Sequence, residues 1–521
     1  MIPVIPVDLT RVFTTNDAPS FSEEKALKHA VIELEAQLES IQQKLRQHQG
    51  ALSAIRRLPC EVLGRIFCHA LGAPAPLNAL GREWLRRLGQ VCRSWHEASL
   101  LEHQLWSSLA GERGTYDEVT TWLKRAGNLP KSLLLTMDKE YCDIDGTANS
   151  PAAKLLSDGL ALDHLYLTCK RVGDVALLIK HLSEISGTRT SPRPWDTLRS
   201  LGIDILDECD AFDDTYGRYI PPRDILSLIP PVKSLTVCLP SKEYAYEGYE
   251  YRFARDVPIG IPGAVLSGLT TFIFSCDWEG VHVLDMLQHC TNLEHLILLY
   301  NDPTVIDDAE GQRFPPGGIT LPNLRSLELR HPSPQVKFLV YIVTPRLDTL
   351  SIQNDYSPLD ESISTIKVFI ERSEIEHTLS SFRLHNVSAQ PSNFISLFDS
   401  MPALTQLTLQ SVSLKEGFWY TLGKRQRIRQ LERLEVLEVP IAQGQRIIKH
   451  IVEFLQARGR KKCDVIVSFP DPPISPYEER ESLIAGAGNL EEFDIDLRVV
   501  RASETRISGV NIRTPYWFWS R

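Results

Sequence analysis

Several things are missing from this chain of 521 residues. None of its ten cysteines (60, 68, 92, 142, 169, 209, 238, 276, 290 and 463) forms a CxxC pair. Nearly all sit inside apolar runs, so they read as small buried thiols of a reducing compartment rather than as disulfides or zinc ligands. No apolar run reaches the roughly 18 residues of a membrane span. The opening "MIPVIPVDLTRVF" lacks the basic start and continuous apolar core of a signal peptide. Without a secretory route, the formal glycosylation sequon Asn386-Val387-Ser388 reads as a turn. Basic excess is missing too. A net charge of −10 argues against nucleic acid as the main partner.

Catalytic signatures are also lacking. "GFWYTLGKR" (417–425) has the wrong spacing for a phosphate loop and no Ser or Thr after its Gly-Lys. "HEASLLEH" (96–103) sets its second histidine too far away for a zinc helix, and "DIDGT" at 143 is incomplete as a calcium loop. The basic runs "KRQRIRQLER" (424–433) and "RGRKK" (458–462) read as solvated faces or as nuclear-import signals. These observations predict no enzyme, no cofactor and no metal site. What is present is globular: 43% of residues are apolar and 23% charged, over a length with room for several domains or one long repeat array.

Residues 1–24, with Pro3, Pro6 and Pro19 and no periodicity, are predicted to be disordered. From Leu27 a seam continues through Val31, Leu34, Leu38, Ile41, Leu45, His48, Leu52 and Ile55 in steps of four and three. That is coiled-coil spacing and predicts an amphipathic helix over 25–55. Two uses are open: a homodimer through residues 27–55, or a helix folded onto the domain that follows.

Next comes "IRRLPCEVLGRIFCHAL" (55–71). Pro59 suits the first turn of a helix, and Val62, Leu63, Ile66, Phe67 and Leu71 recur at helical spacing. A second helix is predicted in "LRRLGQVCRSWHEASL", with Leu88, Val91, Cys92 and Trp95 on one side. A third is predicted at "EHQLWSSLA", with Leu105, Trp106 and Leu109 aligned. Three short helices cannot bury so much apolar surface alone, so a partner is a physical expectation. The stretch "LPCEVLGRIF" followed by "LGQVCRSWHEASLLEHQLWSSL" resembles an F-box, in the form common in fungal F-box proteins with a preceding helix; the match spans 55 to 109. The segment between Leu71 and Leu88 is longer than in a compact F-box and is expected to form a loop. The resemblance implies docking on the Skp-type adaptor of a cullin–RING ubiquitin ligase. The implied contacts are Leu58, Pro59, Leu63, Ile66, Phe67, Leu88, Val91 and Trp95.

The remaining residues repeat. The template apolar-x-x-apolar-x-apolar starts at 162, 198, 232, 269, 293, 324, 347, 379, 404, 434 and 490. Its end alternates with period two, which predicts short strands, and stretches such as "VHVLDMLQHC" and "SNFISLFDSM" between hits read as helices. This pattern resembles irregular leucine-rich repeats. It implies a fold of a long helix and a three-helix F-box followed by a solenoid of parallel strands. The asparagine of that family's ladder occurs only as Asn301, so other contacts must hold the turns, and the gap from 434 to 490 points to a modified repeat. On the face away from the core, the pattern places Thr271, Ile273 and Ser275; His295, Ile297 and Leu299; Ser326, Glu328 and Arg330; Ser381, Arg383 and His385; and Glu492, Asp494 and Asp496. An exposed apolar spot (Ile273, Ile297, Leu299) beside Glu328, Arg330, Arg383 and His385 is the candidate substrate surface, unless a loop such as 301–320 covers it.

The predicted layout is therefore 1–24 disordered, 25–55 helix, 56–110 F-box, 111–131 linker helix, 132–500 repeats and 501–521 an aromatic cap ("TPYWFWSR"). The predicted function is a substrate receptor of an SCF-type ligase in the cytoplasm or nucleus. The alternative is a coiled-coil and leucine-rich scaffold unconnected with ubiquitin.

Overall fold

A computed structural model describes residues 8–73, 75–111, 115–137, 151–169, 172–185, 193–205, 225–239, 260–276, 280–300, 314–315, 317–330, 336–353, 360–387, 390–412, 418–424, 428–440, 443–457, 462–469 and 495–501. The chain divides into two units: Met1–Leu71 with Trp84–Glu102, and Gly72–Glu83 with His103–Arg521.

The first unit opens on the short helix α1 (Thr10–Thr14), inside the segment 1–24 predicted to be disordered. Helix α2 (Phe21–Leu52) follows. Ser20 and Glu23 close a capping box at its start, satisfying two backbone donors that a helix end leaves unpaired. Arg11 donates to Glu23 at 2.6 Å, and with the Ser20 contacts it holds the Glu23 carboxyl down at about 2. The apolar seam of α2 is open: Val31, Leu34, Leu38, Ile41, Leu45 and Leu52 are each more than half exposed. Helix α3 (Cys60–Leu71) comes next, then α4 (Ala79–Gly89) and α5 (Arg93–Leu101).

Two expectations for this region are corrected. The "LRRLGQVCRSWHEASL" stretch is not one helix, because Gln90–Cys92 break it and Cys92 is extended (φ −164°, ψ 171°) as the N-cap of α5. Residues 79–84, expected to belong to a loop, are helical and form the first part of α4.

Among the described residues the second unit holds a parallel sheet of fourteen strands with helices between them, and a two-stranded parallel pair of Ile319–Thr320 with Ile342–Val343. The strands of the large sheet are β1 (Ser108–Gly111), β2 (Ser132–Met137), β3 (His164–Cys169), β4 (Ser200–Ile205), β5 (Ser234–Cys238), β6 (Thr271–Cys276) and β7 (His295–Tyr300). The rest are β8 (Ser326–Arg330), β9 (Thr349–Gln353), β10 (Ser381–His385), β11 (Gln406–Gln410), β12 (Arg433–Leu437), β13 (Cys463–Phe469) and β14 (Ile495–Arg501). Each pairs with the next in chain order. Inward residues such as Leu165, Leu201, Leu235, Phe272, Leu296, Leu327, Leu350, Phe382 and Leu407 lie side by side in register, all at most 2% exposed. Helices such as Asp360–Ser373, Pro391–Asp399 and Gly444–Ala457 fill the same core.

Backbone hydrogen bonds recur at the strand entries, and Asn292 and Asn323 add side-chain donations to the Ser267 and Thr291 carbonyls at 2.7 and 3.0 Å. The carbonyls of Lys131, Asp163, Arg199, Lys233, Thr270, Glu294, Arg325, Asp348, Ser380 and Thr405 each accept two N–H groups, from consecutive residues entering the next strand, at 2.7–3.1 Å. A carbonyl has two lone pairs, so each of these oxygens is saturated. Asn301 lies outside the described residues.

Three strands escaped the template because a residue that is not apolar fills a template position: Gly111 at the end of β1, Pro130 before β2 and Lys462 before β13. The 434–490 gap therefore contains β13, a regular rung. "LEVLEV" at 434 was also the wrong frame. The overlapping "LERLEV" at 431 sets β12, with Leu431 and Leu434 fully buried. The third predicted F-box helix is corrected as well. His103–Trp106 is a 3-10 turn, and Leu109 lies in β1, whose N–H and C=O groups pair with β2. Trp106 packs on Trp122 of the helix Tyr116–Lys124, ring centroids 4.5 Å apart. The predicted cap over 501–521 lies outside the described residues, Arg501 excepted, as does most of the 301–320 loop.

On the sheet's second face, Tyr166 of β3 lies directly across from Gly202 of β4. A Cβ on Gly202 would stand 2.1 Å from the Tyr166 ring, so this glycine makes room for an aromatic neighbour. Gly202→Ala is expected to lower stability by about 1–3 kcal/mol, the usual cost of overpacking. Gly317→Ala, with open space around it, is expected to be near neutral. The urea midpoints of the two variants make the comparison.

Candidate protein-docking surfaces

Helix α3 has two apolar faces. Leu63, Gly64, Phe67 and Cys68 point inward and are buried. The Phe67 ring meets Trp95 of α5 at 5.2 Å, and a Cβ on Gly64 would stand 2.8 Å from Glu102 Cβ, so helix and chain pass at backbone distance here. Burial pushes the Cys68 thiol up to about 11, with Glu102 adding to the shift. On the other face Pro59 is exposed, and Val62 and Ile66 are 42% and 41% exposed. The 3-4 spacing of these three sets them on one stripe. Val91 is exposed at 59% and Leu101 at 63%, while Leu100 and Trp84 are exposed as well.

The eight residues implied as adaptor contacts therefore separate. Pro59, Ile66 and Val91 are open to solvent, and Leu58, Leu88 and Trp95 are half-buried. Leu63 and Phe67, at 1% and 2% exposure, belong to the unit's own core and offer no side chain to a partner. A module of this size keeps its largest aliphatic and aromatic groups for itself first. Four exposed apolar residues were missed. Val62 recurs at the same helical spacing as Ile66, but spacing alone does not tell which of the recurring residues stay open. Leu100 and Leu101 close α5, and Trp84 fell in the stretch taken for a loop.

The second sheet face separates in a similar way. Ile273, Ile297 and Leu299 form a small cluster of their own, buried to 2–4% exposure. The exposed apolar spot expected there is thus corrected: these three side chains touch one another, out of water. Beside them lies a polar network. Arg330 pairs with Glu328 at 2.7 Å, Arg383 donates to the Gln410 side-chain oxygen at 2.6 Å, and Gln410 donates to Glu438 at 2.9 Å. Thr408 donates to Glu435 at 2.9 Å, and Arg433 to the same carboxylate at 2.6–2.8 Å. His385 Nε2 stands 4.0 Å from Glu438. Burial pulls the Arg383 guanidinium below its ordinary value, while Glu328 and Glu435 pull it back up. Glu438, Ser411 and Asn386 carry positive φ (59°, 50° and 53°), so three adjacent strands end in left-handed turns without glycine. Asp496 is exposed near Arg498, and Glu492 and Asp494 lie outside the described residues.

Among the described residues no group of three or more His, Cys, Asp or Glu could hold a metal, and no helix is long and apolar enough to cross a membrane. Residues 55–110 match the F-box-like family model. No curated protein matches the chain.

Phe67→Ala is expected to destabilise the first unit by about 3–5 kcal/mol, and Ile66→Asp by no more than about 0.5 kcal/mol, in denaturant titrations. Alkylation at pH 8, read peptide by peptide in a mass spectrometer, is expected to modify exposed Cys92 and spare Cys68. With its pKa near 11, Cys68 is roughly one part in a thousand thiolate at that pH, and its labelling should rise as pH climbs towards 11.

Proposed function

We propose that this protein is the substrate receptor of an SCF-type ubiquitin ligase. The observation that carries the reading is an F-box-like segment whose α3 turns Pro59, Val62 and Ile66 outward after Leu63 and Phe67 have filled its core. Burying one such side chain against an adaptor is worth roughly 1.5–3 kcal/mol. Several together offset much of the roughly 4–15 kcal/mol cost of association. The adaptor contacts are Leu58, Pro59, Val62, Ile66, Leu88, Val91 and Trp95, with Leu63 and Phe67 supporting them from beneath.

The strands and helices after residue 107 act as an array of the leucine-rich-repeat kind that holds a protein substrate. Its polar face, with Glu328, Arg330, Arg383 and His385, supplies the contacts. Such a receptor does no bond chemistry. It raises the local concentration of substrate lysines near a ubiquitin-charged enzyme, which speeds transfer by proximity. The reading carries a location with it, the cytoplasm, the nucleus or both, and a place among fungal proteins with a helix before the F-box.

Leu58→Ala combined with Pro59→Ala is expected to abolish capture of the Skp-type adaptor while circular dichroism and melting stay as in the parent. Undiminished capture by the folded double variant would contradict the reading.

A further inference from the structure

The seam of α2 stands apart from everything used so far. Six of its large side chains are 51–74% exposed: Val31, Leu34, Leu38, Ile41, Leu45 and Leu52. No other described residue covers them. The helix that carries them is nonetheless well defined, with a capping box at Ser20 and the Arg11–Glu23 ion pair at its start. Together the six side chains offer on the order of 500 Å² per copy, so a self-pair would bury about 1,000 Å², the floor for a specific interface.

Charge decides which way two copies lie. The half 21–39 carries five glutamates (23, 24, 33, 35 and 39) against Lys25 and Lys28, a net −3. The half 40–52 carries Lys44 and Arg46 and no acid, a net +2. Parallel pairing sets like halves side by side and places His48 against its own copy. Antiparallel pairing about a twofold axis between Glu39 and Ser40 sets −3 against +2 and opposes the two helix dipoles. In that register every seam position meets another: Leu27 with Leu52, Val31 with His48, Leu34 with Leu45, and Leu38 with Ile41, each layer occurring twice. The positions flanking the seam (Lys28, Glu35, Gln42 and Gln49 on one side; Ala30, Gln37, Lys44 and Ala51 on the other) then oppose no like charges. We propose that α2 pairs with a second copy of this chain as an antiparallel two-helix coiled coil. At 1.5 Å per residue the two Leu52 positions stand roughly 38 Å apart along the bundle. One dimer would therefore hold its two copies of α3 at opposite ends.

The test uses the full chain. Light scattering is expected to give the dimer mass, and Leu38→Asp with Ile41→Asp to halve it while the melting of the remainder is unchanged. Orientation is read by mixing. Leu34→Glu alone and Leu45→Lys alone are each expected to weaken the dimer, and a mixture of the two chains to restore it, because those positions meet only in the antiparallel register. A monomer in the unsubstituted chain at tens of micromolar would overturn the proposal, including the case where the seam binds a different protein. So would a dimer indifferent to Leu38→Asp with Ile41→Asp. Loss of the dimer without rescue on mixing would overturn the antiparallel arrangement. None of these readouts involves the ligase adaptor.

Discussion

From Lys131 to Thr405, one carbonyl oxygen at each strand entry accepts N–H groups from two consecutive residues of the next turn. That constraint holds the register of the parallel sheet. A parallel strand cannot reach its neighbour by a tight turn, so each crossover must leave the sheet, pass through a helix or loop, and return at the right residue. The length of the excursion varies from about 23 to 37 residues, yet the return point does not vary. A slip of one residue would turn every core leucine to the opposite face. The saturated oxygen and the inward row of leucines specify the same register by different physics, one by hydrogen bonds and one by burial.

Because register is fixed at the entry, consecutive residues of a strand, which point to opposite faces, can be given to two separate tasks. The inward row is aliphatic and aromatic throughout. The outward row changes along the sheet, from Tyr166 over Gly202, through the dry Ile273, Ile297 and Leu299 cluster, to a network of Glu328, Arg330, Arg383, Glu435 and Glu438. The paired charges of that network are mostly less than half exposed and carry their own partners. Under the receptor reading, a substrate meeting this face would have to match hydrogen bonds already pointed in fixed directions, or break them at a cost.

Sequence periodicity gave the sheet with good resolution and the helical module with less. Ten of the eleven template starts lie in frame with the described strands or within three residues of it; Leu490 lies outside the described residues. Template hits succeed because a leucine in a buried parallel strand has no substitute position. The failures are local. Gly111, Pro130 and Lys462 break the template where the backbone nevertheless pairs, and "LERLEVLEV" offers two frames that only packing can separate. Within the helical module, period alone could list the apolar residues of α3 but not divide them. Leu63 and Ile66 look alike in sequence; one is 1% and the other 41% exposed, because only Leu63 turns into the unit's own core. The Ile273 cluster failed for a related reason, since alternation tells which face a side chain points to and says nothing of what lies over that face.

The account stands on the outer face of α3 being a docking face. Hydrogen–deuterium exchange of the full chain with and without the Skp-type adaptor tests this most directly. The account predicts slowed exchange confined to the amides of Leu58–Ile66 and the Val91–Leu101 region, with β3 to β13 unchanged. Identical exchange in both segments at saturating adaptor would contradict it.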